Sequence, residues 1–304
     1  MDKTENNGSV RLTDVDKSFT GVKVVDGISF SVSPGEILGL IGPNGAGKTT
    51  IIRMIMDIIK PDSGRIEVLG RGLTEETKNH IGYLPEERGL YTKLTVIQVL
   101  TYLATLKGIP PRQARIRADE MLDRVGLLPH RKKKISELSR GMGQMIQFLT
   151  SIIHNPSLII FDEPFANLDP INTELLREII DERKKQGAAI ILSTHRMNEV
   201  EEQCDRIFMI NKGRSVLYGG IKEIRARYRS NAVRLEYEGE LGEIKGAAIR
   251  QESDGAAELV LDEGVSPKAI LEQLASRGIS LNRFEVVTPP LNDIFLQVMG
   301  ESNE

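Results

Sequence analysis

A glycine-rich loop that ends in a lysine and a threonine most constrains what this chain can fold into. The loop, residues 42–49 with the sequence GPNGAGKT, follows a short apolar run (Glu36–Ile41) and precedes apolar residues at helical spacing (Thr49–Ile59). A strand, a glycine loop and a helix in this order are typical of a phosphate-binding site. Glycines let backbone N–H groups converge on phosphates, and the helix directs its positive end at the same charge. We therefore expect this segment to bind a nucleotide.

Two side chains at the end of the loop have distinct expected roles. Lys48 is expected to reach the β- and γ-phosphates, and the Thr49 hydroxyl to bind Mg²⁺. A glycine turn that arose by chance is the alternative, and the full match with its flanking elements disfavours it. The residues of this segment predicted to contact the nucleotide are Gly42, Pro43, Asn44, Gly45, Ala46, Gly47, Lys48, Thr49 and Thr50.

Strand-like and helical segments alternate around the loop, which predicts an α/β fold with a parallel sheet covered on both faces. Val10–Val15 and Gly27–Val32 are predicted to pair as an antiparallel N-terminal β subdomain. A mostly helical stretch, residues 90–156, is expected to form a separate lobe. The remaining core elements are predicted at Leu158–Phe161, Thr173–Gln186, Ala188–Ser193, Met197–Cys204, Arg206–Ile210 and Ser215–Tyr218.

The character of the sequence changes after Tyr218, where a basic helix-like segment (Ile221–Arg229) leads into new strands and helices. We predict a first domain over residues 1–228 and a small C-terminal α+β domain over residues 229–304. The predicted elements of this second domain are strands at Ala232–Tyr237, Ala257–Leu261 and Ile279–Val287 and helices at Pro267–Arg277 and Leu291–Met299.

Two acidic residues follow a short apolar strand in the segment LIIFDE, residues 158–163. Asp162 ends the strand, so its carboxylate is expected near the phosphates, where it would hold Mg²⁺, usually through water. Glu163 comes next and is a candidate general base that orients and polarises the attacking water. Two solvated acids at a strand end are the alternative. The apolar run disfavours it, because it carries both residues to the edge where such a sheet keeps its metal.

Two further segments admit more than one interpretation from the residues alone. Ser139 lies in LSRGMGQ, residues 138–144, just before a helical stretch. Its hydroxyl either caps that helix or, with the free N–H groups of the helix start, binds a γ-phosphate. His195 ends the triplet STH after a predicted strand. It either has a structural role or hydrogen-bonds the γ-phosphate or its attacking water.

The order of these motifs, from the loop at 42–49 to His195, resembles the ATP-binding subunit of an ABC transporter. The resemblance implies a P-loop NTPase core, ATP and Mg²⁺ as cofactors, and hydrolysis in a head-to-tail dimer of two copies. Each ATP would lie between one phosphate loop and the segment 138–144 of the other copy. The ligands implied in that segment are Ser139, Gly141 and Gln144.

The same resemblance assigns His195 as a catalytic residue beside Glu163. It also makes Phe19, in the sequence KSF, the aromatic residue that stacks on adenine, with an ordinary buried phenylalanine as the alternative. One position departs from the family pattern. Glu86 follows the apolar run Ile81–Leu84 where relatives usually place a glutamine that senses Mg²⁺. A glutamate there can still ligate Mg²⁺ but adds negative charge near the phosphates.

The stretch around Glu86, residues 83–91 with the sequence YLPEERGLY, resembles a bacterial exporter subgroup of the sodium-efflux (NatA-like) type, whose members carry a C-terminal accessory domain. This resemblance implies that a separate transmembrane permease supplies the transport path. The chain would then be peripheral to the membrane, at its cytoplasmic face. A soluble ABC ATPase that acts on ribosomes or DNA is the alternative. Those enzymes commonly carry two cassettes or a long coiled-coil insertion, and neither is visible here.

The composition and a few short segments exclude several further classes of protein. A net charge of −3 argues against a dedicated nucleic-acid binder, so we expect no nucleic-acid partner. The polar stretch over residues 1–9 carries no apolar core, so we do not expect it to act as a signal peptide. No segment approaches the ~20 apolar residues that span a bilayer. The single cysteine, Cys204, cannot form an internal disulfide, so a cytosolic compartment is the default expectation. We expect Cys204 to be a small buried side chain rather than a catalytic thiol. A GTPase switch is rejected because the NKGR segment at 211–214 lacks the aspartate that reads guanine.

Overall fold

The computed structural model describes two compact units, one ending at Ile221 and one over Lys222–Gly300. The predicted domain boundary after residue 228 stays a prediction. The predictions for the N-terminal stretch fall almost wholly outside the described residues, as does Arg88 in the stretch around Glu86. The described residues are 9–301 except for Arg71, Arg88, 229–231, Glu240, Asp254, Glu263 and 288–289.

The helices and strands of the first unit follow one another closely, with two short 3-10 turns at Leu128–His130 and Ile135–Glu137. In chain order they are β1 (Val10–Phe19), β2 (Val22–Val32), β3 (Ile37–Ile41), α1 (Lys48–Ile55), β4 (Ser63–Val68), α2 (Glu75–Lys78), β5 (Ile81–Leu84), α3 (Val96–Leu106), α4 (Pro111–Arg124), α5 (Arg140–Ile152), β6 (Leu158–Asp162), α6 (Pro170–Lys185), β7 (Ala189–Thr194), α7 (Met197–Gln203), β8 (Arg206–Asn211) and β9 (Arg214–Gly220).

A six-stranded sheet in the order β5–β6–β7–β3–β8–β9 forms the centre of this unit. The first five strands are parallel, and β9 runs antiparallel to β8. Alternate residues of β6 face opposite sides: Ile159 and Phe161 pack in one apolar cluster, Leu158 and Ile160 in another. Burial on both faces is what the continuous apolar runs indicate, so the predicted α/β fold with its parallel core sheet is confirmed.

A second, antiparallel sheet in the order β2–β1–β4 covers one face of the first. Its hairpin strands extend beyond the predicted Val10–Val15 and Gly27–Val32 to meet at the pair Phe19 and Val22. β4 was not predicted, because Ser63 and Gly64 look like a helix stop. β4 forms nevertheless by pairing with β1, which lies about fifty positions earlier, from Val10↔Val68 to Asp16↔Ser63.

Helices α3, α4 and α5 form the predicted helical lobe and pack on the other face of the central sheet. The start of α3 is fixed by a capping box, in which Thr95 and Gln98 exchange hydrogen bonds.

Helix α1 ends at Ile55, before the predicted Ile59, because Asp57 adopts a left-handed backbone with φ of 59°.

The chain continues as a small α+β unit with a four-stranded antiparallel sheet in the order β11–β12–β10–β13. Its elements are α8 (Ile221–Arg227), β10 (Ala232–Glu238), β11 (Ala247–Ser253), β12 (Ala256–Leu261), α9 (Pro267–Ser276), β13 (Ser280–Val286) and α10 (Leu291–Glu301). β11 was not predicted, since its polar residues show no apolar alternation. Among the described residues, no helix is both long and apolar enough to cross a bilayer.

Cys204 lies at the end of α7 with its sulfur against Gly39 of β3. A Cβ atom at position 39 would be 3.0 Å from that sulfur. The residue is partly exposed as a whole, but its thiol is enclosed and burial raises the thiol pKa. This agrees with the prediction of a small packed side chain.

Candidate nucleotide site

The loop between β3 and α1 has a backbone that only glycine can adopt at two positions. Gly47 caps α1 with φ of 114°, and a Cβ there would lie 2.8 Å from the Val24 carbonyl oxygen. A Cβ at Gly42 would overlap the carbonyl oxygen of Ile210. The loop is therefore pressed against β2 and β8, and its N–H groups remain at the open end of the helix.

Lys48, the first residue of α1, folds back over this loop. Its ammonium donates hydrogen bonds to the carbonyl oxygens of Gly42 at 2.6 Å and Pro43 at 3.2 Å. Burial lowers the pKa of Lys48, and the nearby carboxylates of Glu163 and Asp162 oppose that shift. The lysine is thus a partly desolvated cation beside acidic groups, a setting in which its charge acts strongly on an anionic ligand.

A cavity of about 360 Å³ opens beside the lysine and brings most of the predicted site together. Three carboxylates from two segments reach it, together with the phosphate loop and the start of α1. Glu86 follows β5, and the other two follow each other at the end of β6. The residues that line it are Val24, Asn44, Gly45, Gly47, Lys48, Thr49, Thr50, Glu86, Asp162 and Glu163.

Asp162 is the most buried of these carboxylates, with 3% of its surface exposed. It ends β6 at the carboxyl edge of the sheet, where parallel α/β sheets bind ligands. Burial raises the pKa of Asp162; the charges of Glu86 and Glu163 add to the shift, and Lys48 opposes it. A further cation in the cavity would offset the repulsion among the three acids.

Glu163 has a left-handed backbone with φ of 51°, unusual for a residue other than glycine. Its backbone N–H donates to the Ser193 carbonyl at 2.9 Å. Its carboxylate oxygen Oε1 accepts from the His195 N–H at 3.1 Å and lies 2.6 Å from His195 Nδ1. The two residues predicted to be catalytic therefore lie in direct contact, although they are 32 positions apart in sequence.

Behind this pair lies a network that the sequence did not reveal. Thr194 Oγ1 lies 2.8 Å from the carboxylate of Glu199 and 3.3 Å from that of Glu163. A hydroxyl has one hydrogen to donate, and the shorter contact favours Glu199. That residue is 4% exposed and also accepts from Arg196 at 3.2 Å. The turn that carries His195 is thereby anchored to α7.

Other predicted ligands lie elsewhere in the chain. Phe19 is 43% exposed and so is not an ordinary core residue; the ammonium of Lys17 lies 5.4 Å from its ring centroid. Ser139 is exposed and caps α5, where its hydroxyl accepts from Met142 N–H at 3.3 Å. Neither residue lines the cavity of its own chain. Their contacts with adenine and with the partner's nucleotide stay predictions.

Two more predicted ligands belong to α5. Gly141 is partly buried, and a Cβ there would be 3.3 Å from the Asn167 carbonyl oxygen. Gln144 is only 3% exposed, and its amide donates to the Pro164 carbonyl at 3.3 Å. The amide of Gln144 is engaged inside its own chain, and its contact with ATP stays a prediction.

Comparison with known proteins agrees with this geometry. The ABC transporter family model matches residues 25–166, and a model of the C-terminal domain of DrrA1-3-like ATP-binding proteins matches residues 219–299. An uncharacterized ABC transporter ATP-binding protein, YhaQ of Bacillus subtilis, is 38% identical over 94% of this chain and 97% of its own length. The ABC transporter ATP-binding protein NatA of the same organism is 33% identical over 73% of this chain and 93% of its own.

The fold is also that of a solved ATP-binding cassette, MJ0796, in a dimeric post-hydrolysis state bound to ADP and Pi. That structure has a TM-score of 0.64 at 22% identity, over 70% of this chain and 98% of the cassette. The phosphate loop, the acidic strand end and the extent of these matches lead to one conclusion. This chain belongs to the ABC transporter ATP-binding proteins and is an ATPase.

Proposed function

We propose that the chain hydrolyses Mg-ATP in the cavity beside Lys48 and that hydrolysis powers export through a separate transmembrane permease. The observation that carries this proposal is the convergence of three carboxylates on the phosphate loop, one of them bound to His195. A phosphate site with a candidate base at its edge is suited to hydrolysis as well as to binding.

The residues of the cavity fit both ATP and a magnesium ion. Among the described residues, no three His, Cys, Asp or Glu side chains are placed to hold a metal by themselves. Mg²⁺ commonly uses one or two carboxylates, waters and substrate phosphates instead. Thr49, Asp162 and Glu86 would be its ligands here. When bound, the ion neutralises charge on the phosphates, which Lys48 and the helix start also stabilise.

Glu163 would take the proton of the attacking water. His195 contacts one oxygen of the carboxylate through both its ring and its backbone N–H. Those contacts orient Glu163 and leave Oε2, whose contact with Thr194 is longer, to accept the proton. The side chain of His195 is 57% exposed, so it can also contact a ligand that enters the cavity.

The proposed active form is a head-to-tail dimer in which Ser139 of one copy contacts the ATP of the other. The exposed start of the 13-residue helix α5 supports this, because its N–H groups and dipole favour an anion. Light scattering of Glu163→Gln with Mg-ATP should show a dimer that the added change Ser139→Arg abolishes. Ser136→Arg, at an exposed position three residues earlier, is the matched control. A dimer unaffected by Ser139→Arg would leave Ser139 as a helix cap only.

The match to DrrA1-3-like C-terminal domains and the similarity to NatA support the exporter assignment. The chain would then sit at the cytoplasmic face of the membrane as a peripheral subunit, without a nucleic-acid partner. Reconstitution in vesicles with the membrane protein encoded beside it tests this: the permease should change the ATPase rate. An unchanged rate with every neighbouring membrane protein would favour the alternative, a soluble ABC ATPase.

A further inference from the structure

Helix α5 carries two buried glutamine amides that reach the two loops bearing carboxylates of the cavity. Gln144 Nε2 donates to the carbonyl oxygen of Pro164, the residue after Glu163, at 3.3 Å. Gln147 Nε2 donates to the carbonyl oxygens of Pro85 and Glu87, both at 3.1 Å. Each glutamine is 3% exposed.

The two bonds of Gln147 fall on either side of Glu86. A side-chain amide has two N–H donors, and both are used on the carbonyls that flank this residue. The Gln147 Oε1 atom, by contrast, is buried and finds no donor among the described residues. An unsatisfied buried acceptor is costly, and an apolar side chain of similar shape would avoid that cost. The only hydrogen bonds of this amide among the described residues are therefore the two to the carbonyls that flank Glu86.

The same face of helix α5 packs along strand β5. Positions 147, 151 and 154 have the spacing of one helix face. A Cβ at Gly82 would overlap the Ser151 carbonyl oxygen, so helix and strand backbones are in close contact there. Just past the helix, His154 Nε2 lies 3.1 Å from the Ile81 carbonyl oxygen. The strand that leads to Glu86 is thus held against α5 at three levels.

We propose that Gln144 and Gln147 are positioning residues that tie Glu163 and Glu86 to the helix that begins at Ser139. A shift of that helix start, such as contact with a nucleotide on the second copy would cause, moves both carboxylates together. The inference rests on the proposed function, which gives Ser139 and Glu86 their contacts. It adds the physical link between them, made of three amide hydrogen bonds.

The test is the change Gln147→Met, which keeps the length of the side chain and removes its donors. We expect a folded protein whose ATP affinity in chelator is unchanged. The Mg²⁺ concentration for half-maximal turnover should rise about threefold or more, the scale of coupling between contacting residues. In a Glu86→Gln background, the same change should leave the Mg²⁺ dependence unaltered, because the residue through which it acts is already neutral.

The matched control is Gln203→Met on α7. Gln203 is also a buried glutamine, 6% exposed, and its amide donates to Asp181 of α6 at 3.1 Å. The Gln203→Met variant should show the same dependence of turnover on Mg²⁺ as the unmodified chain. Gln144→Met should instead lower the maximal rate without moving the Mg²⁺ midpoint, since it acts next to Glu163.

Three outcomes would overturn the inference. Gln147→Met could match Gln203→Met in Mg²⁺ dependence, or the effects of Gln147→Met and Glu86→Gln could simply add. Alternatively, Gln147→Met and Gln147→Asn could both fail to fold while Gln203→Met folds, which would make the amide a stability element. If the single change Glu86→Gln leaves the Mg²⁺ dependence unchanged, the proposed metal site is contradicted. That result distinguishes a failure of the proposed function from a failure of the inference about Gln147.

Discussion

The imidazole Nδ1 of His195 and the carboxylate Oε1 of Glu163 lie 2.6 Å apart, and the backbone N–H of His195 donates to the same oxygen. The contact joins the ends of two neighbouring parallel strands, β6 and β7. The carboxylate is 13% exposed and the imidazole 57%. Glu163 is therefore oriented from the solvent side of the sheet edge, while its backbone N–H donates to Ser193 of the neighbouring strand β7.

Replacing Glu163 with glutamine tests the general-base assignment. The amide keeps the shape of the side chain and loses its basicity, so turnover should fall by roughly 10²–10⁴-fold. ATP should still bind, because the phosphate loop is untouched. Steady-state ATPase assays measure the effect, with Glu174→Gln, an acid that is 65% exposed on α6, as control. Normal turnover in Glu163→Gln would assign water activation to another group.

Replacing Lys48 with alanine tests the phosphate contact. A charge-assisted hydrogen bond contributes roughly 1.5–3 kcal/mol, so ATP affinity should fall roughly 10- to 100-fold. Titration calorimetry measures it, and a thermal melt checks that the loop survives without its bonds to Gly42 and Pro43. Lys60→Ala, a lysine with 79% exposure that pairs with Asp57, should bind ATP normally. Equal affinities in both variants would refute the contact.

Replacing Glu86 with glutamine tests its place near the metal. The carboxylate repels the γ-phosphate, at a few kcal/mol for nearby like charges and an effective dielectric of about 20. It is also the stronger Mg²⁺ ligand. Glu86→Gln should therefore tighten ATP binding in chelator and weaken the dependence of turnover on Mg²⁺. Identical titrations for both proteins would mean that Glu86 faces solvent or a partner.

His154 predicts a pH dependence of folding. Burial lowers its pKa from 6.5 to about 4, and its bond to the Ile81 carbonyl opposes the shift. Between these values the unfolded chain binds a proton that the folded chain does not, so stability is full above pH 6.5 and falls as the pH drops toward 4. The whole loss is about 3 kcal/mol. Urea unfolding of His154→Gln should show a flatter pH profile; an identical slope would contradict this.

Much of the fold could be predicted because its signals are local. The run before residue 42, the glycine loop and the helix after it are contiguous in the sequence, and so are the alternating strands and helices up to Tyr218. The strands that escaped prediction, β4 and β11, have weak apolar patterns. They form because a distant or more regular strand pairs with them, which no short window of sequence reveals.

The candidate site also has a part that could be predicted from the sequence and a part that could not. Lys48, Thr49, Asp162 and Glu163 could be predicted because each lies at the end of a recognisable strand or loop. The amide bonds of Gln147 could not, because the carbonyl oxygens that accept them lie 60 and 62 positions away and any buried glutamine looks alike in sequence. The left-handed backbone of Glu163 is likewise invisible, since it is imposed by tertiary hydrogen bonds.

The enclosed thiol of Cys204 has a practical consequence for measuring the proposed shift of helix α5. A thiol with a raised pKa is almost wholly protonated near neutral pH, and only the thiolate reacts readily with maleimides or iodoacetamides. As this is the only cysteine in the chain, fluorophores or spin labels can be attached at chosen surface positions without first removing it. Distances between labels on α5 and on the central sheet could then be recorded during turnover.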